Sequence, residues 1–182
     1  MTRNHHTTKN SKDFIVRAPD ENDAFKIIEY SRLLFSSTDQ VLTVAEEFNM
    51  TVEKEKDWIS SFNSSQNSMV RIAESNKGVI IGLLFFAGNT KLKASHSGEF
   101  GLSVHPDWQG VGIGRTLMGT LLDWAKANDK IEKISLQVFA TIKNAIRLYR
   151  SLGFMEEGRH IKAIKQPTGE YIDVLQMYAW IK

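Results

Sequence analysis

From about Gly98 to Leu152 the chain alternates strand, helix, strand and helix, and this stretch limits the possible folds more than any other. A strand is expected from Gly98 to His105. A helix follows from about Gly112 to Ala127, with Ile113, Leu117, Leu121 and Trp124 on one stripe. Ile134 to Val138 reads as the next strand, and Thr141 is placed to cap a helix ending near Leu152. Strands joined through a helix pair in parallel, by right-handed crossovers. Elsewhere the signals are antiparallel. Met69–Ala73 and Val79–Phe86 flank Ser75-Asn76-Lys77-Gly78, and Phe154–Lys165 and Glu170–Trp180 flank Gln166-Pro167-Thr168-Gly169. Phe14–Val16 reads as a first short strand, followed by a helix capped by Asp20 and a second helix capped by Thr51. Residues 36–50 fit either a loop or a short helix. The expected fold is therefore α/β, one mixed sheet with helices on both faces.

Hydrophobic residues at 42 % and charged residues at 24 % exclude wholesale disorder. With no cysteine, disulfides, zinc ribbons and a thiol nucleophile drop out. The longest apolar run, Val79 to Gly88, has ten residues against the roughly twenty of a membrane span. No apolar signal segment opens the chain, so a soluble, cytoplasmic protein without membrane partners is expected. Residues 1–12 hold Arg3, Lys9 and Lys12 and no acid, and are expected to be a disordered tail before a single domain at 13–182. That domain has a net charge of −1, which speaks against a nucleic-acid partner.

Chemistry concentrates at residues 104–118, Val-His-Pro-Asp-Trp-Gln-Gly-Val-Gly-Ile-Gly-Arg-Thr-Leu-Met. A strand ends, Pro106 turns the chain, and Gly110, Gly112 and Gly114 open a helix. First-turn amides lack partners inside the helix, and glycines let a ligand approach the backbone, so such a corner suits phosphate oxygens. Arg115 adds a cation. The same glycines would also serve tight helix–strand packing. The dinucleotide fingerprint fails because Arg115 stands where a third glycine is needed, and no Gly-Lys-Ser/Thr is present for a P-loop.

Gln109-x-x-Gly112-x-Gly114 resembles the Q/R-x-x-G-x-G/A signature of the GNAT superfamily of N-acetyltransferases. Ala145-x-x-Leu148-Tyr149-x-x-x-Gly153-Phe154 is similar to that family's second motif, and the ending with Glu157-Gly158, Gly169-Glu170-Tyr171-Ile172-Asp173 and Met177 looks like the branch acting on polyamines and ribosomal-protein N-termini. The resemblance implies the family's largely antiparallel sheet with a splayed parallel strand pair. It also implies acetyl-CoA as cosubstrate, with no metal, and a primary amine (small amine, polyamine or peptide N-terminus) as acceptor, which attacks the thioester directly in a ternary complex. Cofactor contacts would fall on Ser103, Val104, Gln109, Gly110, Val111, Gly112, Ile113, Gly114, Arg115 and Thr116, with Asn144 as a further candidate. Tyr149 would protonate the departing thiolate, although it also lies on an apolar helical stripe with Ile142, Ala145, Ile146 and Leu152. Glu99, opposite in strand phase to Phe100, Leu102 and Val104, would take the amine's proton, or be a solvated surface residue. His105 and His96 are lesser candidates. Ile142 departs from the family's asparagine at that position, and this supports an alternative, a catalytically weak CoA-binding sensor or interaction module.

Charge is unevenly placed. Residues 13–90 carry −5, residues 91–182 carry +4, and residues 20–57 hold ten acids against four bases. A cationic acceptor is expected on the acidic side, where the solvated surface of two acidic helices is the other reading. An open sheet with a terminal strand suggests a homodimer.

Overall fold

Asp20 opens the first helical segment with a capping box. Its side chain accepts from the Asn22 amide at 2.8 Å, and the Asp23 carboxylate accepts from the Asp20 amide at 2.9 Å. The structure, a computed structural model, describes residues 4–182. The capping box leads through one 3-10 turn into α1 (Ala24–Ser37). Thr51 caps α2 (Val52–Ser64), its hydroxyl accepting from the Lys54 amide at 3.3 Å. Between them only Ala45–Glu47 forms a further 3-10 turn.

Eight strands are present among the described residues: β1 (Asn4–Thr7), β2 (Asp13–Arg17), β3 (Met69–Ser75), β4 (Ile80–Gly88), β5 (Ser97–Val104), β6 (Lys133–Phe139), β7 (Met155–Lys165) and β8 (Tyr171–Trp180). Helices α3 (Ile113–Ala127) and α4 (Lys143–Ser151) lie between β5 and β7 in sequence. The hydrogen-bonded order is β1-β2-β3-β4-β5-β6-β8-β7, a mixed sheet as expected. Two compact units divide the chain, residues 1–87 with 101–124, and residues 88–100 with 125–182.

In the first unit α1 and α2 cover one sheet face and α3 the other. Ile72 and Leu83, neighbours across the β3–β4 ladder, join Ile27, Tyr30, Leu34 and Ile59 in one apolar cluster. Gly82, next in sequence to Leu83, faces the opposite way. A Cβ on it would lie 3.0 Å from Leu117 and 3.2 Å from Ile113, so the missing side chain is what lets α3 sit this close. Arg17 on β2 donates to both oxygens of Asp23, at 2.6 and 2.8 Å, and to Glu74 at 2.7 Å. Burial alone would raise the Asp23 pKa. The Arg17 guanidinium and the Asp20 amide outweigh that, and hold it below the usual carboxylate range.

Residues 4–12 correct the expectation of a disordered tail. β1 pairs antiparallel with β2 from Asn4↔Val16 to Thr7↔Asp13, His6 stacks on Phe14 at 5.3 Å, and Thr7 donates to Asp13 at 2.8 Å. A strand held by its backbone ladder and one ring contact leaves no apolar alternation to read. Met1–Arg3 fall outside the described residues.

In the second unit β5 and β6 pair in parallel, as the crossover through α3 requires. Their ladder covers only Ser97↔Lys133 to Glu99↔Ser135, although β5 runs on to Val104 and β6 to Phe139. The second crossover, through α4, does not place β7 beside β6. β8 intervenes, antiparallel to both. One cap also differs from expectation. The residue before α4 is Ile142, without a side-chain cap, and Thr141 contributes its carbonyl to the Lys143 amide instead.

Candidate active site

β5 ends at Val104, and the next six residues turn tightly. The His105 amide donates to the Ile81 carbonyl at 2.9 Å, and the His105 ring nitrogen Nδ1 accepts from the Asp107 amide at 3.2 Å. His105 thus caps the short 3-10 turn Pro106–Trp108. Gln109 Nε2 donates back to the Val104 carbonyl at 3.1 Å, so the glutamine of the motif ties the loop to the strand that precedes it.

Beyond Gln109 the backbone enters the left-handed region twice, at Gly110 (φ +74°) and Gly112 (φ +110°). Side-chain-bearing residues rarely take up such angles. A Cβ at either position would meet nothing within 4 Å, so these glycines are required by backbone conformation and have open space beside them. The amides of Gly110, Gly112, Ile113 and Gly114 find no acceptor among the described residues. Thr116 is already engaged. Its amide and hydroxyl both donate to the Gly112 carbonyl, at 3.0 and 3.3 Å. Unpaired amides at the positive end of α3, with exposed Arg115 on its first turn, fit the phosphate oxygens of a CoA thioester.

Ser103, on β5, has a partner that the sequence did not suggest. The buried Tyr30 hydroxyl of α1 donates to Ser103 Oγ at 2.9 Å, which leaves the serine O–H free to donate elsewhere. Burial pushes the Tyr30 pKa well up, so it remains a donor. Only its place one helical turn from Ile27 and Leu34 marked it, and that pattern says no more than core.

The second unit carries the two expected catalytic groups. Tyr149 is 6 % exposed, edge-on to Phe100 (5.6 Å) and tilted against Phe154 (6.0 Å). Burial raises its pKa to about 12. Its hydroxyl finds no hydrogen-bond partner among the described residues, and it is not one of the sealed unpaired atoms. Glu99 is exposed on β5, with Gln176 Nε2 at 3.5 Å. His96 stacks parallel to Trp180 at 6.4 Å. Asn144 accepts from the Arg147 guanidinium three residues on, both exposed, which occupies its carboxamide oxygen. Ile142 packs with Phe139, Ile172 and Val174, an apolar cluster that accounts for an isoleucine where the family pattern has asparagine.

Glu55 is a buried acid within the acidic segment. It lies on the inward stripe of α2 with Val52 and Ile59, 5 % exposed, and its carboxylate has no hydrogen bond or ion pair among the described residues. Burial raises its pKa to about 7. The folded state therefore binds a proton that the unfolded chain has released, and stability falls as pH rises from the ordinary value of 4.5 to about 7. Glu55→Gln is expected to raise Tm by about 4 °C at pH 8 and to change it little at pH 4.5, as read by thermal melts at the two pH values.

No group of three metal-ligating side chains occurs among the described residues, and no described helix is long and apolar enough to cross a membrane. An amide-lined glycine turn opening a helix at the end of a strand has the chemistry to take up phosphate oxygens. Residues 33–154, about two thirds of the chain, match the Acetyltransferase (GNAT) family, and the chain belongs to that family. A spermidine N(1)-acetyltransferase from Vibrio cholerae is 38 % identical over 82 residues, covering 45 % of this chain and 47 % of that one. The chain thus spans about half the length of that curated relative. A GNAT-family acetyltransferase from Streptococcus pneumoniae has the same fold, with a TM-score of 0.89 at 23 % identity, over 92 % of this chain and 99 % of that one. A phosphinothricin acetyltransferase from Sinorhizobium meliloti, solved with acetyl-CoA, superposes with a TM-score of 0.79 at 18 % identity, over 96 % and 89 % of the two chains.

Proposed function

We propose that this protein transfers the acetyl group of acetyl-CoA to a primary amine that is cationic in solution, by direct attack in a ternary complex. The observation that carries the reading is the set of amides at Gly110, Gly112, Ile113 and Gly114 that find no acceptor among the described residues, at the start of α3 in a chain of the GNAT family. Bound there, acetyl-CoA supplies an acetyl group activated as a thioester. The loop amides and Arg115 hold its phosphates. A backbone amide of β5 near Ser103 or Val104 donates to the thioester oxygen as negative charge develops on it. Glu99 accepts the proton of the acceptor's ammonium, directly or through water, because an alkylamine with a pKa near 10 is a nucleophile only when neutral. The amine nitrogen bonds to the carbonyl carbon, the carbon–sulfur bond breaks, and Tyr149 donates its proton to the departing sulfur. The second proton that the nitrogen sheds on becoming an amide restores the Tyr149 phenol through water. The raised pKa of Tyr149 keeps that proton in place across the neutral range.

The surplus of acids over residues 20–57 supports a cationic acceptor, steered by long-range attraction. A mass-spectrometric screen of acetylated products over polyamines, peptides and amino acids tests this. Cationic amines should dominate, with rates that fall as salt rises. Dominance of anionic acceptors would overturn the charge argument and leave the reaction class standing.

A further inference from the structure

The Val111–Gly112 peptide is held from behind. Its carbonyl accepts a hydrogen bond from the Lys9 amide at 3.1 Å, in the turn that joins β1 to β2. That turn is closed by bonds of its own. The Thr8 amide donates to the Lys12 carbonyl at 2.8 Å, the Lys12 amide to Thr8 Oγ1 at 2.9 Å, and the Ser11 amide to the Thr8 carbonyl at 3.0 Å. Ser11 sits at φ +57°, and Thr8 is buried. A second contact grips the near side of the loop, where Lys12 Nζ lies 4.8 Å from the centre of the Trp108 ring. The hairpin turn therefore touches the glycine loop both before and after Gln109.

In a trans peptide the C=O and N–H point in opposite directions, and the chain has no cis bond among the described residues. Fixing the Val111 carbonyl toward the hairpin therefore aims the Gly112 N–H away from it, and that amide has no acceptor among the described residues. The constraint matters because glycines flank Val111 on both sides. Gly110 and Gly112 allow this peptide to rotate more freely than any side-chain-bearing pair would.

We propose that the β1–β2 turn is a positioning element of the cofactor's phosphate site, with the Lys9 amide setting the direction of the Gly112 N–H. This rests on the reading of residues 109–116 as the acetyl-CoA phosphate loop. Lys9 acts through its backbone, so the lost donor, not the lost charge, is what weakens binding. Lys12 acts by holding the turn against Trp108.

Lys9→Pro removes the donor. Titration calorimetry with acetyl-CoA should show about a tenfold rise in Kd, while S-acetylpantetheine, which has no phosphates, binds as it does to the wild type. Lys9→Ala keeps the N–H and should recover most of that loss. Should Lys9→Pro fail to fold, Lys12→Met provides the same contrast, with a Kd for acetyl-CoA raised about threefold and the phosphate-free probe unaffected. Equal weakening by Lys9→Ala and Lys9→Pro would overturn the backbone role. Equal loss of both probes would overturn a role at the phosphates, and so would an unchanged Kd in folded Lys9→Pro. Failure of the wild-type protein to bind acetyl-CoA at all would instead sink the cofactor reading on which this one stands.

Discussion

Replacing Tyr149 by phenylalanine is expected to lower kcat by about tenfold or more while leaving the Kd for acetyl-CoA unchanged. The ring contributes packing through its edge contact with Phe100 and its tilted contact with Phe154, and phenylalanine keeps both. Only the hydroxyl is lost. It makes no hydrogen bond among the described residues, so its removal strands no partner and should leave Tm within a degree or two. Steady-state kinetics together with a thermal melt separate the two roles of this residue. Lower turnover with unchanged stability assigns the hydroxyl to proton donation. Unchanged turnover would remove Tyr149 from the mechanism and leave it a core aromatic.

Gly112→Asp is expected to raise the Kd for acetyl-CoA about thirtyfold or more. A side chain at φ +110° costs on the order of 1–3 kcal/mol in backbone strain. The added carboxylate would also stand among the amides proposed to face phosphate oxygens, setting like charge against like. The fold should tolerate it, since a Cβ there meets nothing within 4 Å. Gly112→Ala isolates the strain from the charge and should lie between the two. Circular dichroism checks the fold and calorimetry reads the affinity. Unaltered affinity in Gly112→Asp would mean that the phosphates bind elsewhere.

The central architecture was legible because its signals are local. Asp20 and Thr51 cap as their side chains allow, the Ser75–Gly78 turn joins β3 and β4, and Leu117 and Ile113 lie on the buried stripe of α3. The glycine loop was legible for the same reason, since alternate glycines after a strand mark backbone positions that side-chain-bearing residues rarely take up. Contacts between distant segments left no such trace. The Tyr30–Ser103 bond spans 73 residues and rests on a tyrosine indistinguishable in sequence from other core positions. β1 is polar and short, so the hydrogen bonds that hold it leave no mark on composition. The position of β8 between β6 and β7 depends on strand order, which hydrophobic period does not encode. Asn144, whose residue type suggested a contact with the cofactor, accepts from its helical neighbour Arg147, a pairing that the spacing of three allows.

Whether this fold carries out acetyl transfer or only holds CoA is decided by thiol release. Protein would be mixed with saturating acetyl-CoA, with and without a polyamine, and free thiol and N-acetylated amine followed together. The expected result is release of CoA thiol in a one-to-one ratio with acetylamine, with almost none in the absence of amine, as a ternary-complex reaction requires. Tight binding of acetyl-CoA with no amine-dependent thiol release, across the whole panel of acceptors, would contradict the enzymatic reading and leave a CoA-binding sensor in its place.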